Sequence, residues 1–204
     1  MKITNIHGTG IPLRGDNIDT DRIVPGRYLK EITFERMGGY VFYDERFDAD
    51  GKPKEHPFND PKFLEASILI VNRNFGCGSS REHAVQAIKR FGVRAIIGES
   101  FSPIFLANCT ALGILAVQAG FEDIEFLMKL VFENPKLQIG ISLPKKVIEL
   151  SGKQIKFDMP EHSLSAFTGG FWNMAEFMLG NLEETKKFAA KLPYINGFKN
   201  VASK

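Results

Sequence analysis

Ten residues near the middle of the chain combine glycines, hydroxyl side chains and an arginine at a spacing that could bind an anion. They read Asn74-Phe-Gly-Cys-Gly-Ser-Ser-Arg-Glu-His83. An apolar strand-like segment at 67–72 precedes them and a helix-like segment at 84–91 follows, which predicts a strand-to-helix turn. Because the first N–H groups of a helix have no partners within it, such a turn can bind a negatively charged group.

The side chains of this turn favour a carboxylate as the anion. Arg81 can hold a carboxylate through two parallel hydrogen bonds, and Ser80 and the backbone N–H groups around Gly78 add donors. Ser79 could then act as a base on a substrate C–H or O–H group, if donors and positive charge stabilise its alkoxide. A simpler interpretation is that Ser79 or Ser80 only caps the following helix.

Other motifs that bind phosphate or carry a nucleophile fit this turn less well. A dinucleotide-binding fingerprint needs a third glycine where Arg81 stands, although Glu99 lies at a suitable spacing for a ribose contact. A P-loop needs a lysine before its Ser or Thr, and a nucleophile elbow needs glycines on both sides of the serine. A Cys77 thiol activated by His83 is a further alternative, although a cysteine is more often a small buried apolar residue.

The composition of the chain excludes several classes of protein. Of its 204 residues 44% are apolar and 18 are Phe, which is enough for a sizeable core. The net charge is +2 with both signs scattered, so neither a nucleic-acid partner nor a membrane surface is predicted. No apolar stretch reaches the roughly 18 residues of a membrane span. Residues 1–6 also lack a signal-peptide core, so we expect a cytoplasmic protein.

The chain is not expected to hold a metal by itself. Its two cysteines, Cys77 and Cys109, are too few for a disulfide scaffold and too few to bind an iron–sulfur cluster or a structural zinc alone. The histidines outside the central turn have no partners at metal-ligand spacing; they are His7, His56 and His162.

Residues 67–118 have the clearest secondary-structure pattern and place the turn in an α/β fold. Strands at 67–72, 93–97 and 114–117 alternate with helices at 80–91 and 102–112, which favours a parallel sheet with crossover helices. The remaining predicted elements are a strand within 1–14, a helix at 123–133, strands at 137–143 and 146–158, and helices near 172–180 and 182–191. Residues 44–62 are polar and rich in Pro, Gly and Asp. They are either functional, ordered by a partner, or a tolerated surface insertion.

The central turn resembles the signature of the aconitase-superfamily swivel domain, and most closely that of the bacterial 3-isopropylmalate dehydratase small subunits. Residues 17–21, Asn-Ile-Asp-Thr-Asp, and the following residues 22–30 resemble the Asp-Thr-Asp loop of that family. Residues 100–105 and the later Gly113-Ile-Leu-Ala-Val117 also fit its pattern. The resemblance covers about residues 5–158.

This resemblance implies a fold and a division of labour between two chains. The implied fold is an α/β swivel domain with three β/β/α layers and mixed sheets, spanning 1–204 with a helical extension from about 160. In this family a separate large subunit carries a 4Fe-4S cluster on three cysteines, and this chain binds no cofactor. The implied reaction is a reversible dehydration and rehydration of a small dicarboxylate hydroxy acid, from 2-isopropylmalate to 3-isopropylmalate in leucine biosynthesis.

The resemblance also assigns roles to residues. It implies that Ser79 is the base that removes a proton next to a carboxylate, and that Asp21 joins the hydrogen-bond network of the active site. Ser80 and Arg81 match the family's contacts with the substrate carboxylate, and Gly78 is predicted to bind the substrate together with them. The implied partners are the large subunit and the substrate.

The sequence leaves the substrate open. The loop after the Asp-Thr-Asp motif contributes to specificity in the family, and here it includes Lys30. Lys30 could bind an extra carboxylate, as in homocitrate or citrate, or it could simply be solvated. The alternatives are the small subunit of a homoaconitase, an aconitase-like enzyme or a methyl-substituted malate dehydratase. A carboxylate-binding module without catalysis is an alternative of a different class.

Overall fold

Strands and helices follow one another largely in the order that the sequence predicts. The computed structural model describes residues 2–79, 81–173, 178–195 and 197–198. Its strands are β1 (Asn5–Leu13), β2 (Ile68–Val71), β3 (Ala95–Gly98), β4 (Leu115–Gln118), β5 (Gln138–Ser142), β6 (Val147–Leu150) and β7 (Lys153–Lys156). Its α-helices are α1 (Thr20–Ile23), α2 (Met37–Tyr40), α3 (Tyr43–Arg46), α4 (Glu82–Phe91), α5 (Pro103–Leu112), α6 (Phe121–Glu133), α7 (Glu161–Gly169) and α8 (Leu182–Ala189). Across these described residues no helix is both long and apolar enough to cross a membrane.

The described strands form one sheet in the order β4-β3-β2-β1-β5-β6-β7. Residues 10–13 of β1 run parallel to β2, and residues 5–9 of β1 run antiparallel to β5. β2, β3 and β4 continue the parallel pairing, and with the second part of β1 they form the parallel half of the sheet. β5, β6 and β7 form the antiparallel half. The predicted α/β class with strands of mixed direction is therefore confirmed.

The parallel half contains the centre of the core. Every residue of β2 and β3 is buried, and both strands consist of apolar residues apart from a terminal glycine in β3. Because parallel strands must be joined by long crossovers, α4 connects β2 to β3 and α5 connects β3 to β4. Strands covered on both faces are apolar along their whole length, which explains the unbroken apolar runs in the sequence.

The antiparallel half is built from short strands and tight turns. β6 and β7 are joined by Ser151 and Gly152, whose φ angles are 42° and 81°. A two-residue turn with positive φ at both positions matches the twist of a hairpin. In β7 only Ile155 is buried, so this strand has one apolar residue toward the core.

Some helices differ from the prediction. α4 begins at Glu82 rather than at 80, and its N-cap residue Arg81 has an extended backbone with φ −131° and ψ 111°. The predicted helix near 172–180 includes residues 174–177, which lie outside the described residues. α7 was not predicted as a separate helix, although it lies within the helical extension from about 160 that the resemblance implies. It buries Ser163 and Phe167.

Residues 44–62 are ordered by contacts within the chain. Arg46 is buried, and it donates to the side chain of Asn59 (2.9 Å) and to the carbonyl of Val41 (3.2 Å). Phe58 is fully buried in the core. Because these contacts tie the segment to the chain, it is not a loosely attached surface insertion.

Candidate active site

The serine loop, residues 74–81, connects β2 to α4 and carries most of the predicted site residues. Asn74, Gly76 and Gly78 have φ angles of 56°, 72° and 86°. A Cβ at Gly76 would also lie 2.2 Å from the Cγ atom of Phe105, which is a severe collision. The glycine at 76 is therefore required by the path of the backbone.

The aspartate loop, residues 16–22, lies beside the serine loop and pairs with it as two short parallel strands do. The N–H of Gly76 donates to the carbonyl of Ile18 (2.8 Å), and the N–H of Thr20 donates to the carbonyl of Cys77 (2.9 Å). The pairing brings together two motifs that are far apart in the sequence.

Asp21 and Arg81 meet where the two loops converge. The guanidinium of Arg81 donates to the carboxylate of Asp21, and their side chains are 22% and 57% exposed. Gly26 lies beside this pair and has no side chain. A Cβ there would be in ordinary contact with it, 3.6 Å from Oδ1 of Asp21 and 3.9 Å from Nη1 of Arg81. The pair shows that a carboxylate fits against this guanidinium.

Ser79 and Gly78 are exposed on the serine loop. The carbonyl of Ser79 accepts a hydrogen bond from the hydroxyl of Thr20 (2.9 Å). The N-cap of α4 is Arg81, so the interpretation of Ser79 as the cap of this helix is wrong. Ser80, the other predicted carboxylate contact, lies outside the described residues.

Lys30 ends a 3-10 segment, Gly26–Lys30, and is exposed. Tyr28 in this segment stacks on Tyr40 with ring centroids 4.0 Å apart, which holds the segment against the chain. The hydrogen bonds that join Asp21 to Arg81 and the aspartate loop to the serine loop do not include Lys30. The structure therefore brings Asp21, Arg81 and the serine loop together, but does not join Lys30 to them.

Comparisons with known proteins define the family. The Aconitase C-terminal domain model matches residues 1–121. A 3-isopropylmalate dehydratase small subunit of Thermus thermophilus is 48% identical over 193 residues, which are 95% of this chain and 96% of that protein. The chain belongs to the family of 3-isopropylmalate dehydratase small subunits. The predicted resemblance is thus confirmed.

Two further comparisons agree with this small-subunit family. A Synechocystis protein of the same name is 38% identical over 195 residues, 96% of each chain. A crystal structure described as a 3-isopropylmalate dehydratase of Methanocaldococcus jannaschii matches with a TM-score of 0.67 and 26% identity, over 90% of this chain and 99% of that one. The swivel-type α/β fold that the resemblance implies is therefore confirmed.

Two serines that are not among the predicted site residues, Ser100 and Ser102, also bind the serine loop. The N–H of Asn74 donates to Oγ of Ser100 (2.8 Å), and Oγ of Ser102 donates to the carbonyl of Gly76 (2.6 Å). Both serines follow β3, whose carboxyl end adjoins that of β2 in the parallel half. That position after a neighbouring parallel strand is the signal that could have identified them.

The alternative chemistries are not supported by the positions of their residues. The ring of His83 packs edge-on against Phe34, with centroids 5.2 Å apart, and Cys77 is half-buried in the loop pairing. Burial raises the pKa of Cys109, which makes its thiol a poor nucleophile. Glu99, the possible ribose contact, accepts a hydrogen bond from Asn72 (3.0 Å).

A partly buried ion pair between Arg22 and Glu45 links the aspartate loop to α3. Arg22 donates from Nε to Glu45 (2.6 Å), and Nε2 of His56 lies 3.8 Å from the same carboxylate. His56 and Arg22 together lower the pKa of Glu45 to about 2, against the opposing effect of burial. Since 3.8 Å exceeds hydrogen-bond length, the direct hydrogen bond is the one from Arg22.

A large cavity among the described residues lies elsewhere. It has a volume of about 1090 Å³ and is lined by the end of β1, by residues 54–63 and by α6. None of the predicted site residues lines it. The site at the serine loop is instead an open surface of the chain.

Proposed function

We propose that this chain is the small subunit of a 3-isopropylmalate dehydratase, which converts 2-isopropylmalate to 3-isopropylmalate by dehydration and rehydration in leucine biosynthesis. The observation that carries the proposal is the convergence of Asp21, Arg81 and Ser79 on two hydrogen-bonded loops. The family supports it, because relatives that match nearly the whole chain carry this name.

In this proposal Arg81 binds a carboxylate of the substrate. A guanidinium presents five N–H donors in a planar fork, and Asp21 accepts from Nη1. The other N–H groups can hold a substrate carboxylate while Asp21 keeps the fork in place. The backbone at Gly78 and the hydroxyl of Ser80 add further donors, as the family resemblance implies.

Ser79 then removes the proton from the carbon next to the bound carboxylate. A serine alkoxide is strongly basic, so it forms only where positive charge and N–H donors stabilise it. Arg81, two residues further along the same loop, supplies the charge. In the reverse direction the Ser79 hydroxyl returns the proton to carbon.

The family resemblance assigns a 4Fe-4S cluster to the large subunit. The described residues of this chain do not fit such a group, since no three or more of its His, Cys, Asp and Glu side chains are arranged to hold a metal ion. Cys109 is fully buried, whereas Cys77 lies on the serine loop. When bound to the partner, the cluster supplies a Lewis acid for the substrate hydroxyl. This chain binds and orients the carboxylate and moves the proton at Ser79.

The exposure of the site supports a role for a partner chain. Asp21, Gly78 and Ser79 are all exposed, so water reaches them in the isolated chain. Bulk water competes for the Arg81 donors and weakens the electrostatic stabilisation of an alkoxide. We therefore expect turnover only when a large subunit covers these residues.

Reconstitution tests the proposal. The chain is co-expressed with a three-cysteine large subunit, and the complex is assayed with 2-isopropylmalate, 3-isopropylmalate, citrate, homocitrate and citraconate. Interconversion of the two isopropylmalates by the complex, and by neither chain alone, is the expected result. Turnover by the isolated chain would refute the two-chain site, and binding of isopropylmalate to that chain without turnover of any complex would favour a non-catalytic module.

The exposed position of Lys30 favours one alternative substrate class. An exposed ammonium on the segment that follows the aspartate loop can pair with the extra carboxylate of citrate or homocitrate. If the complex prefers a tricarboxylate and Lys30→Ala removes that preference, the chain is a homoaconitase-like or aconitase-like subunit. If Lys30→Ala leaves isopropylmalate turnover unchanged, Lys30 is solvated and the leading proposal stands.

A further inference from the structure

Thr20 is a polar residue that is almost completely buried beneath the serine loop. It is 1% exposed. Its N–H donates to the carbonyl of Cys77 (2.9 Å), and its hydroxyl donates to the carbonyl of Ser79 (2.9 Å). One residue thus holds two carbonyls of the serine loop, one on each side of Gly78.

The loop passes close to Thr20 at Gly78, whose φ of 86° favours a glycine. A Cβ at Gly78 would be 3.4 Å from the Cβ of Asp19 and 3.6 Å from Oγ1 of Thr20. Thr20 is itself fixed, since it is the first residue of α1 and Asp19 caps that helix by accepting from the N–H of Arg22 (2.8 Å). The hydroxyl therefore donates from a fixed residue to the part of the loop, Gly78 and Ser79, that is exposed.

Two consecutive residues hold the two groups that the reaction uses. Asp21 binds the guanidinium of Arg81, and Thr20 binds the backbone of Ser79. A base must stand within hydrogen-bond distance of the proton it removes, and a displacement of about 1 Å can cost roughly 100-fold in rate. The relative position of Ser79 and the carboxylate bound by Arg81 is therefore set by this pair of contacts.

We infer that Thr20 is a positioning residue: its buried hydroxyl holds the carbonyl of Ser79 and so fixes the Ser79 hydroxyl relative to the carboxylate on Arg81. The inference rests on the proposed function and deepens it. Thr20 does not touch the reacting atoms, so its effect is on the rate of the chemical step and not on the binding of the carboxylate.

Variants of Thr20 test the inference in the reconstituted two-chain enzyme, on whichever dicarboxylate the wild type turns over. Thr20→Val keeps the shape and removes the hydroxyl, and we expect kcat to fall by about 10- to 100-fold with KM changed by less than about threefold. Thr20→Ser keeps the donor and restores kcat to within about threefold of the wild type. Thr168→Val is the matched control, because the Thr168 hydroxyl donates to the carbonyl of Leu164 (2.8 Å) in α7.

A wild-type kcat for Thr20→Val, or an equal loss in Thr168→Val, would overturn the inference. Hydrogen exchange of the 74–83 peptide in the isolated chain gives a second measure that needs no activity and no partner. We expect exchange to be at least about tenfold faster in Thr20→Val than in Thr168→Val, since an opened contact exposes the loop amides. Unchanged exchange would show that the hydroxyl does not hold the loop, whatever reaction the complex performs. If no wild-type complex turns over any dicarboxylate, the proposed function fails and exchange alone decides whether Thr20 holds the loop.

Discussion

The two halves of the sheet meet in β1 but carry very different connections. In the parallel half, the segments that follow β1 and β2 are long and contain the aspartate loop and the serine loop, residues 16–22 and 74–81. In the antiparallel half, β5, β6 and β7 are joined by turns of a few residues. All of the predicted site residues belong to the connections of the parallel half.

This difference follows from how strands of each kind are connected. Parallel neighbours have their carboxyl ends at the same edge of the sheet, and each needs a crossover before the next strand. Side chains from distant parts of the sequence, such as Asp21 and Arg81, therefore converge at one edge. A hairpin returns at once to its neighbour and leaves few residues free to build a site.

The largest difference between the two halves should be the loss in the free energy of unfolding when a glycine is replaced by alanine. Gly76→Ala places a methyl group 2.2 Å from the ring of Phe105 at a φ of 72°. Gly152→Ala in the antiparallel half adds a methyl group at a φ of 81° with nothing within 4 Å. We expect Gly76→Ala to lower the free energy of unfolding by at least about 3 kcal/mol, and Gly152→Ala by about 1–2 kcal/mol.

Denaturant unfolding of both variants measures this difference. Equal losses in the two variants would mean that the serine loop yields to the added methyl group, and that Phe105 does not fix its path.

Replacing the Arg81 guanidinium should have the next largest effect, which is on substrate binding. Replacing a basic residue of the antiparallel half should not change substrate binding. Arg81→Lys keeps the charge but cannot bind a carboxylate through two parallel hydrogen bonds. In the reconstituted enzyme we expect KM to rise by about tenfold or more, a loss of at least ~1.4 kcal/mol of substrate binding. Lys153→Ala is the control from β7, where the ammonium lies 3.7 Å from the centroid of the Phe126 ring. Steady-state kinetics in which both variants resemble the wild type would remove Arg81 from the site.

The ion pair between Arg22 and Glu45 should make a smaller, pH-dependent contribution to the free energy of unfolding. The pKa of Glu45 is lowered to about 2 from its ordinary 4.5, so its charge stabilises the folded chain fully above about pH 4.5. That stabilisation is lost as the pH falls from 4.5 toward 2. Because the carboxylate is 29% exposed, we expect Glu45→Gln to cost only about 1 kcal/mol at pH 7, and this cost to disappear on acidification.

Glu149→Gln is the matched variant in the antiparallel half, where Glu149 accepts from Lys145 on the surface. An exposed pair of this kind contributes less than about 0.5 kcal/mol. Thermal unfolding at a series of pH values compares the two variants. A pH-independent loss in Glu45→Gln would contradict the electrostatic account.

The sequence predicts the parallel half well because its signals are local. The apolar run at β2, Ser102 and Pro103 at the start of α5, and Gly113 after its end each indicate an element without reference to distant residues. The glycines of the serine loop and the Asp-Thr-Asp motif are also visible in the sequence. The prediction places both motifs in loops, but it cannot show that the loops pair.

What the sequence does not predict depends on contacts between distant residues. α4 starts two residues later than predicted, and the loop before it is hydrogen-bonded to the distant aspartate loop through the N–H groups of Gly76 and Thr20. The hydroxyl of Thr20 looks like an ordinary polar group in a polar loop until its burial is known. Arg46 and Asn59 similarly order the 44–62 segment through side-chain bonds that composition alone does not reveal.

Replacing Ser79 tests most directly whether the loops of the parallel half form an active site. The Ser79→Ala complex is compared with the wild type and with Ser165→Ala, which changes an exposed serine on α7. We predict that kcat of Ser79→Ala falls by at least about 100-fold, while KM and the affinity for the large subunit stay close to those of the wild type. Turnover within a few-fold of the wild type would contradict the account, because the proton would then be moved by another group.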